Sequence, residues 1–322
     1  MARLLKEADV RTLLTMDDAL VAVEDAFRAV ARGEAVNVSR HRGALAGATI
    51  NTMGAISKAT DAMGVKVYPI VRSDITVGSS FQVLVYRIST GALIGIMEAE
   101  ALAQIRTGAA SGVASKFMAR PESRVMTMFG AGWQARAQLE AIRRVLPKLE
   151  RVTVIGRSAE RVERFCKEMA NPQTALVPCS DARKAVEEAD VVTTITGSSV
   201  PVFDGAWLRT GTHVNAAGSN FAQKQEIDAA TVRRSNRIVA DDVEVAKIEC
   251  GDLIVAHAGG GLDWAKVHAL SDVVAGTVPG RMGADEITLF ESQGIGLEDL
   301  AVATLLLDLA QARVIGIDIP LQ

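Results

Sequence analysis

Val125-Met-Thr-Met-Phe129, running directly into Gly130-Ala-Gly-Trp-Gln-Ala135, is the stretch whose reading decides the fold. Five residues of buried-strand character end in two glycines, and helical spacing takes over from Trp133 to Leu146. Gly130 allows a tight strand-to-helix turn. Gly132 lets the backbone approach a phosphate with no Cβ in the way, and Ala135, standing for a third glycine, keeps helix and strand close. The exposed N–H groups and dipole of the new helix favour an anion there. The same pattern also occurs as an ordinary tight turn, so the residues beyond Ala135 must decide between the two.

Downstream, the rhythm of strand, turn and helix repeats. Strands are expected at 125–129, 151–155, 191–196, 213–217 and 237–240, with helices at 133–146, 159–169, 182–188 and 227–234. β-branched strands alternating with helices imply a parallel sheet covered on both faces, and with it a dinucleotide-binding domain. The second strand ends in Gly156-Arg157-Ser158. An NAD-preferring site carries an acid near this point, whereas a guanidinium and a hydroxyl suit a 2′-phosphate, with Arg161 as a second candidate. NADP(H) is therefore favoured and NAD(H) stays possible; the plainer alternative is a solvated loop arginine.

Upstream, a helix is expected over 17–32, ended by Gly33. The segments 64–68, 81–88 and 92–97 are short and rich in β-branched residues, and they predict a small antiparallel sheet with a hairpin turn at Ser89-Thr-Gly91. A long helix over 99–119 stops before Pro121. The apolar run 297–315 predicts a final helix packed back on this first part. The fold class is thus α/β: a Rossmann domain inserted in a smaller α+β domain.

Composition narrows the partners. With 35 basic and 38 acidic side chains and no basic run, nucleic acid and membrane surfaces are not expected partners. No 18-residue apolar stretch exists to span a bilayer, and the charged first residues do not form a signal peptide. Three scattered cysteines, Cys166, Cys179 and Cys250, and four unrelated histidines build neither a disulfide framework nor a metal site. A cytoplasmic protein is expected. Asp241-Asp242 reads as a surface turn.

Several stretches together resemble the ornithine cyclodeaminase/mu-crystallin family. They are Gly64-Val-Lys66, Ile105-Arg106-Thr107 continuing to Ser111, Ala114–Ala119, the turn Gly130–Ala135, Val192–Thr196, His213–Gly218, Thr288–Gly296 and Asp299-Leu-Ala301. The resemblance implies a substrate and dimerisation domain at 1–120 plus 300–322, a Rossmann domain at 121–299, and a homodimer. Together with the glycine turn and the residues after the second strand, it gives a candidate cofactor set of Thr107, Gly130, Ala131, Gly132, Trp133, Gln134, Ala135, Gly156, Arg157, Ser158, Arg161, Thr194, Thr196 and Gly218.

For the substrate, the resemblance points to Arg106 and Arg40 as carboxylate-binding residues, a task suited to the planar guanidinium fork. Without it, Arg106 reads as a helix-surface arginine and Arg40-His41-Arg42 as a charged loop. Lys66 would face the substrate as proton donor or hydrogen-bonding group, although an alternating strand can equally point a lysine outward. Near Arg106 its pKa is expected to fall. Asn220 stands in the loop where the cyclodeaminases place a catalytic aspartate, and Asn51 where they place a substrate-recognising glutamate. Asparagine accepts no proton, so cyclodeamination ranks behind NAD(P)H-dependent reduction of a small 2-imino acid or oxidation of an L-amino acid. Candidate substrates are pyruvate with ammonia, pyrroline-2-carboxylate and piperideine-2-carboxylate. The rivals are a cyclodeaminase-type ammonia-lyase and a non-catalytic protein that binds NADPH and a small ligand.

Overall fold

A computed structural model describes residues 1–72 and 77–320 and divides the chain into two compact units, Met1–Arg106 with Ile295–Gln322, and Thr107–Gly294. In chain order the first unit holds β1 (Ala2–Leu5), α1 (Glu7–Leu13), α2 (Met16–Ala31), β2 (Ala35–Leu45), β3 (Ala48–Ser57), β4 (Ala62–Arg72), β5 (Val77–Ser79), β6 (Gln82–Arg87) and β7 (Leu93–Glu98). Helix α2 starts where Thr15 accepts a hydrogen bond from Asp18 N, and it ends at Gly33, whose φ of 68° suits a residue without a Cβ. Its buried stripe is Met16, Ala19, Val23, Ala26 and Phe27. Helix α3 (Glu100–Met118) then carries the chain into the second unit.

The second unit runs β8 (Val125–Phe129), α4 (Trp133–Val145), β9 (Arg151–Ile155), α5 (Ala159–Glu168), β10 (Ala175–Pro178), α6 (Ala182–Glu188), β11 (Val191–Thr194), β12 (His213–Ala216), α7 (Ala229–Arg234), β13 (Arg237–Ala240), α8 (Val243–Glu249), α9 (Gly251–Ala258), β14 (Val267–Ala269), α10 (Leu270–Val274) and β15 (Thr288–Glu291). The chain then returns to the first unit as α11 (Gly296–Arg313) and β16 (Ile317–Ile319).

The strands of the second unit are all parallel, in the order β10-β9-β8-β11-β12-β15-β13-β14. Chain direction across the sheet reverses at β8, which makes the gap between β8 and β11 the switch point where α/β sheets bind ligands at their carboxyl ends. Five strands read from the sequence are β8, β9, β11, β12 and β13. Short β10, β14 and β15 escape a reading by periodicity. Asp241, expected on the surface, is buried and accepts hydrogen bonds from Gln293 N and Gly294 N at 2.7 Å each, while Asp242 caps α8.

The first unit's sheet is larger than the expected three strands: β16-β1-β7-β6-β4-β3-β2, with β5 beside β4, and β1 parallel to β7. Helix α11 packs on α2 and across β2, β3, β4 and β6. Its start lies against β3 because both chains carry glycine there: a Cβ on Gly296 would come within 2.5 Å of Gly54 O. The units divide inside α3, after Arg106 rather than near residue 120, and before Ile295 rather than 300. The reason is the packing of the later half of α3 within the second unit. A Cβ on Gly108 would lie 2.3 Å from Ala137 O, Gln138 donates to Thr107 O, and Asn215 donates to Ser115 Oγ.

Candidate active site

In the first unit, β4, α3 and α11 bring four ionisable groups together in its interior. Lys66 lies mid-strand, opposite Met53 of β3 and Val83 of β6, and is 2% exposed. Its Nζ is 2.7 Å from Asp299 Oδ2 and stands over the stacked rings of Tyr68 and Phe81. Arg106 donates from Nη1 to Glu298 Oε2 at 2.5 Å, and its Nε is 2.9 Å from Asp299 Oδ1. Glu298 and Asp299 are buried in the first turn of α11, where the helix dipole favours negative charge. Burying charges costs free energy unless each is paired, and here every charge has a partner.

Burial lowers the pKa of Lys66 to about 7, and the nearby Arg106 and Arg40 push the same way; the charge and hydrogen bond of Asp299 resist. Burial also works against the charge of Arg106, but the carboxylates of Asp299 and Glu298 outweigh it and hold its pKa above the usual value. For Glu298, burial raises the pKa against the pull of Arg106. The outcome is a fixed guanidinium beside a lysine poised to gain or lose a proton near neutrality.

Arg40 is half-buried on β2, where the register with β3 shifts between Val38 and His41. Such a bulge re-aims side chains, and His41 by contrast is exposed. Asn51, on β3, is buried and donates from Nδ2 to Tyr68 O at 3.3 Å.

The second unit carries the candidate nucleotide residues at the carboxyl ends of its strands. Gly130 has a φ of 110°, and a Cβ there would meet Ile195 O at 2.4 Å, so this glycine is required by the backbone itself. At Gly132 a Cβ would meet nothing within 4 Å. Packing therefore does not require this glycine, and the backbone there is open to the approach of a phosphate. Gly132 is also the N-cap of α4, and no side chain caps the helix there. Gln134 Oε1, in the first turn, is buried with no hydrogen-bond partner among the described residues. Ala135 is fully buried, Ala131 is half-buried and Trp133 is 41% exposed. A dinucleotide fits these features.

After β9, Gly156 sits against Val162, and Arg157 and Arg161 are exposed. The Ser158 hydroxyl oxygen accepts from Arg161 N and caps α5, so it has a structural task besides any contact with a ligand. Thr107 is buried in α3. Thr194, Thr196 and Gly218 converge on one residue that the sequence does not single out, Glu226. Its carboxylate accepts from Thr194 Oγ1 at 2.9 Å, from Thr196 N at 2.6 Å and from Gly218 N at 2.6 Å. Asn220 is half-buried in the loop that leads from Gly218 to Glu226.

Glu298 is likewise absent from the sequence-based candidates, and Asp299 enters them only as part of a motif. Two adjacent acids opening a helix look like ordinary complements to its dipole. The one signal in the sequence is that the helix they open continues as a run rich in Leu, Ala and Val.

Comparison with known proteins gives a consistent answer. The family model described as the ornithine cyclodeaminase/mu-crystallin family matches residues 2–313. An alanine dehydrogenase of Archaeoglobus fulgidus is 32% identical over 325 residues, covering 97% of this chain and 96% of that protein. The structure of Thermococcus litoralis Delta(1)-pyrroline-2-carboxylate reductase in complex with NADH and L-proline is 31% identical, with a TM-score of 0.92 over 98% of this chain and 100% of that one. An archaeal alanine dehydrogenase dimer with bound NAD superposes equally well, at a TM-score of 0.92 and 31% identity over 99% of each chain. The chain belongs to the ornithine cyclodeaminase/mu-crystallin family.

Proposed function

We propose that the chain is a nicotinamide-dependent oxidoreductase that interconverts a small 2-imino acid and the corresponding L-amino acid. The observation that carries this reading is the buried group of Lys66, Arg106, Glu298 and Asp299. When bound, the nicotinamide supplies the hydride to the substrate α-carbon or takes it away. The protein's own residues do the rest. Arg106 has Nε and Nη1 facing Asp299 and Glu298, which leaves Nη2 for a substrate carboxylate. Arg40, near enough to lower the pKa of Lys66, adds a second guanidinium for the same carboxylate.

Lys66 gives a proton to the substrate nitrogen side during reduction and takes one during oxidation. Its pKa of about 7 serves both directions. Tyr68 and Phe81 line the approach to Nζ with apolar rings. They suit a compact side chain better than a cationic one. Asn51 is spent on a backbone carbonyl, and Glu298 and Asp299 are spent on Lys66 and Arg106, so none of them is placed to receive an ω-amine. This disfavours the cyclodeaminase reading. Relatives named for alanine dehydrogenase and pyrroline-2-carboxylate reductase support the favoured one.

Exposed Arg157 and Arg161 support a preference for NADP(H), although related structures hold NADH and NAD. Homodimerisation is supported by the dimeric archaeal relative. It is also supported by apolar residues exposed on β2 and β3, including Val36, Val38, Ile50 and Ile56. The deciding experiment measures nicotinamide absorbance with pyruvate plus ammonia, pyrroline-2-carboxylate and piperideine-2-carboxylate, each with NADH and NADPH and in both directions. Turnover with at least one pair is expected. Silence across the panel would refute the reading, and proline formed from ornithine without net change in the cofactor would replace it with cyclodeamination.

A further inference from the structure

Glu226 is fully buried, yet no described cation pairs with it. An unpaired carboxylate in the interior is costly unless donors surround it. Here the donors are Thr194 Oγ1 at the end of β11, Thr196 N just beyond that strand, and Gly218 N just beyond β12. Glu226 itself is held in turn: Asp252 Oδ1, in the first turn of α9, accepts from Glu226 N at 2.8 Å and Ile227 N at 3.0 Å. The joint is also close-packed, since a Cβ on Gly218 would lie 2.3 Å from Thr196 N and 2.5 Å from Glu226 Oε1. One carboxylate thus ties together two loops at the carboxyl end of the sheet, on the β11 side of the switch point.

The side matters. The glycine turn after β8 suits the pyrophosphate, and the end of β9, on one flank of β8, is where the adenosine ribose is recognised. The opposite flank, β11 and β12, is left for the nicotinamide. We propose that Glu226 is a positioning residue for the nicotinamide half of the cofactor, acting through Thr194, Thr196 and Gly218, with Asp252 as its support. This rests on the reading that the chain binds a nicotinamide dinucleotide. Because Gly218 also opens the loop bearing Asn220, the same carboxylate sets where that loop begins.

A buried carboxylate with a purely architectural task is available as a control. Asp190, just before β11, accepts from Arg124 N and Val125 N at the amino end of β8 and pairs with Arg120 and Arg209, at the end of the sheet away from the ligand side. The test compares the wild type, Glu226→Gln and Asp190→Asn by fluorescence titration with NADH and NADPH, by titration with ADP-ribose, which lacks the nicotinamide, and by thermal melting. For Glu226→Gln, the Kd for NADH or NADPH should rise about ten- to a hundredfold, the size expected when a charge-assisted hydrogen bond is lost, while ADP-ribose binds as before. Hydrogen exchange at Thr196 and Gly218 should quicken. Asp190→Asn should melt earlier and bind all three ligands as the wild type does.

Equal weakening of NADH and ADP-ribose by Glu226→Gln, or no change in either, would overturn the proposal. If Glu226→Gln does not fold, Thr194→Val removes the one side-chain donor while keeping the shape, and the same selective loss is expected at smaller size; unchanged NADH and NADPH binding in that variant would overturn the proposal too. Failure of the wild type to bind NADH or NADPH would instead overturn the cofactor reading beneath it.

Discussion

Replacing Asp299 with asparagine keeps the side-chain volume and removes one negative charge 2.7 Å from Lys66 Nζ. Lys66 sits at about 7 because burial and the charges of Arg106 and Arg40 drive its pKa down while Asp299 holds it up. Without Asp299 the lowering influences dominate, opposed by the more distant charge of Glu298. A close opposite charge is worth about one to three pKa units, so the lysine should titrate one to three units lower. In imino-acid reduction the protonated form is needed, and kcat/KM falls as pH rises through the pKa of the free enzyme. That falling limb should therefore move to lower pH in Asp299→Asn. For a fall of about two units the protonated fraction at about pH 8 drops from roughly a tenth to a thousandth, a loss of roughly a hundredfold in rate. At low pH the two profiles should converge again, because both enzymes are then protonated. The assay is a pH–rate profile of kcat/KM with the best imino acid from the panel. Thermal melting should accompany it, since breaking a buried pair can cost about 3–5 kcal/mol. A limb that stays in place or moves to higher pH in a folded variant would refute the assignment of the proton to Lys66.

Further outcomes are expected elsewhere. Lys66→Met should abolish turnover while NADPH binding, followed by fluorescence, stays close to that of the wild type; retained turnover would remove Lys66 from the chemistry. The two turn glycines should separate fold from ligand. Gly130→Ala forces a Cβ into a backbone with a φ of 110° and against Ile195 O, costing about 1–3 kcal/mol in the melting transition. Gly132→Ala adds its methyl to open space, so it should melt near the wild-type temperature but bind the dinucleotide more weakly. Arg157→Ala combined with Arg161→Ala should raise the KM for NADPH about tenfold or more and leave that for NADH nearly unchanged, by the loss of charge-assisted bonds to the 2′-phosphate. Equal effects on both cofactors would remove these arginines from the choice between them.

The glycine turn is legible in the sequence because its chemistry is local: a strand, two glycines and a helix sit side by side in the chain. Five of the eight parallel strands, β8, β9, β11, β12 and β13, are legible for the same reason, as short runs rich in buried apolar residues. The first unit is harder. β2 escapes a sequence reading because its exposure follows no clean alternation, and β3 because its buried positions Asn51, Met53, Ala55 and Ser57 mix polar and small residues with one large apolar one. Arg40-His41-Arg42 falls where the ladder shifts register, so the segment reads as a charged loop. Lys66 and Arg106 emerge from short motifs, but their acidic partners do not, because Arg106 and Glu298 are 192 residues apart and nothing local joins them. Glu226 follows Gln223-Lys224-Gln225 in a polar loop, where a glutamate reads as solvated. Only the fold shows that it turns inward.

The return of the chain to the first unit through α11 has a consequence for how the molecule is made. Residues 107–294 form one uninterrupted unit, and every candidate nucleotide residue lies within it. Lys66 and Arg106 leave the ribosome early, but the two acids that neutralise them arrive with α11, nearly two hundred residues later. During synthesis the β4 lysine and the α3 arginine therefore exist as unmatched cations, in a sheet whose covering helix has not yet been made. Helix α11 both closes this core and neutralises its charges, so the reactive group is assembled only after the nucleotide turn is already complete.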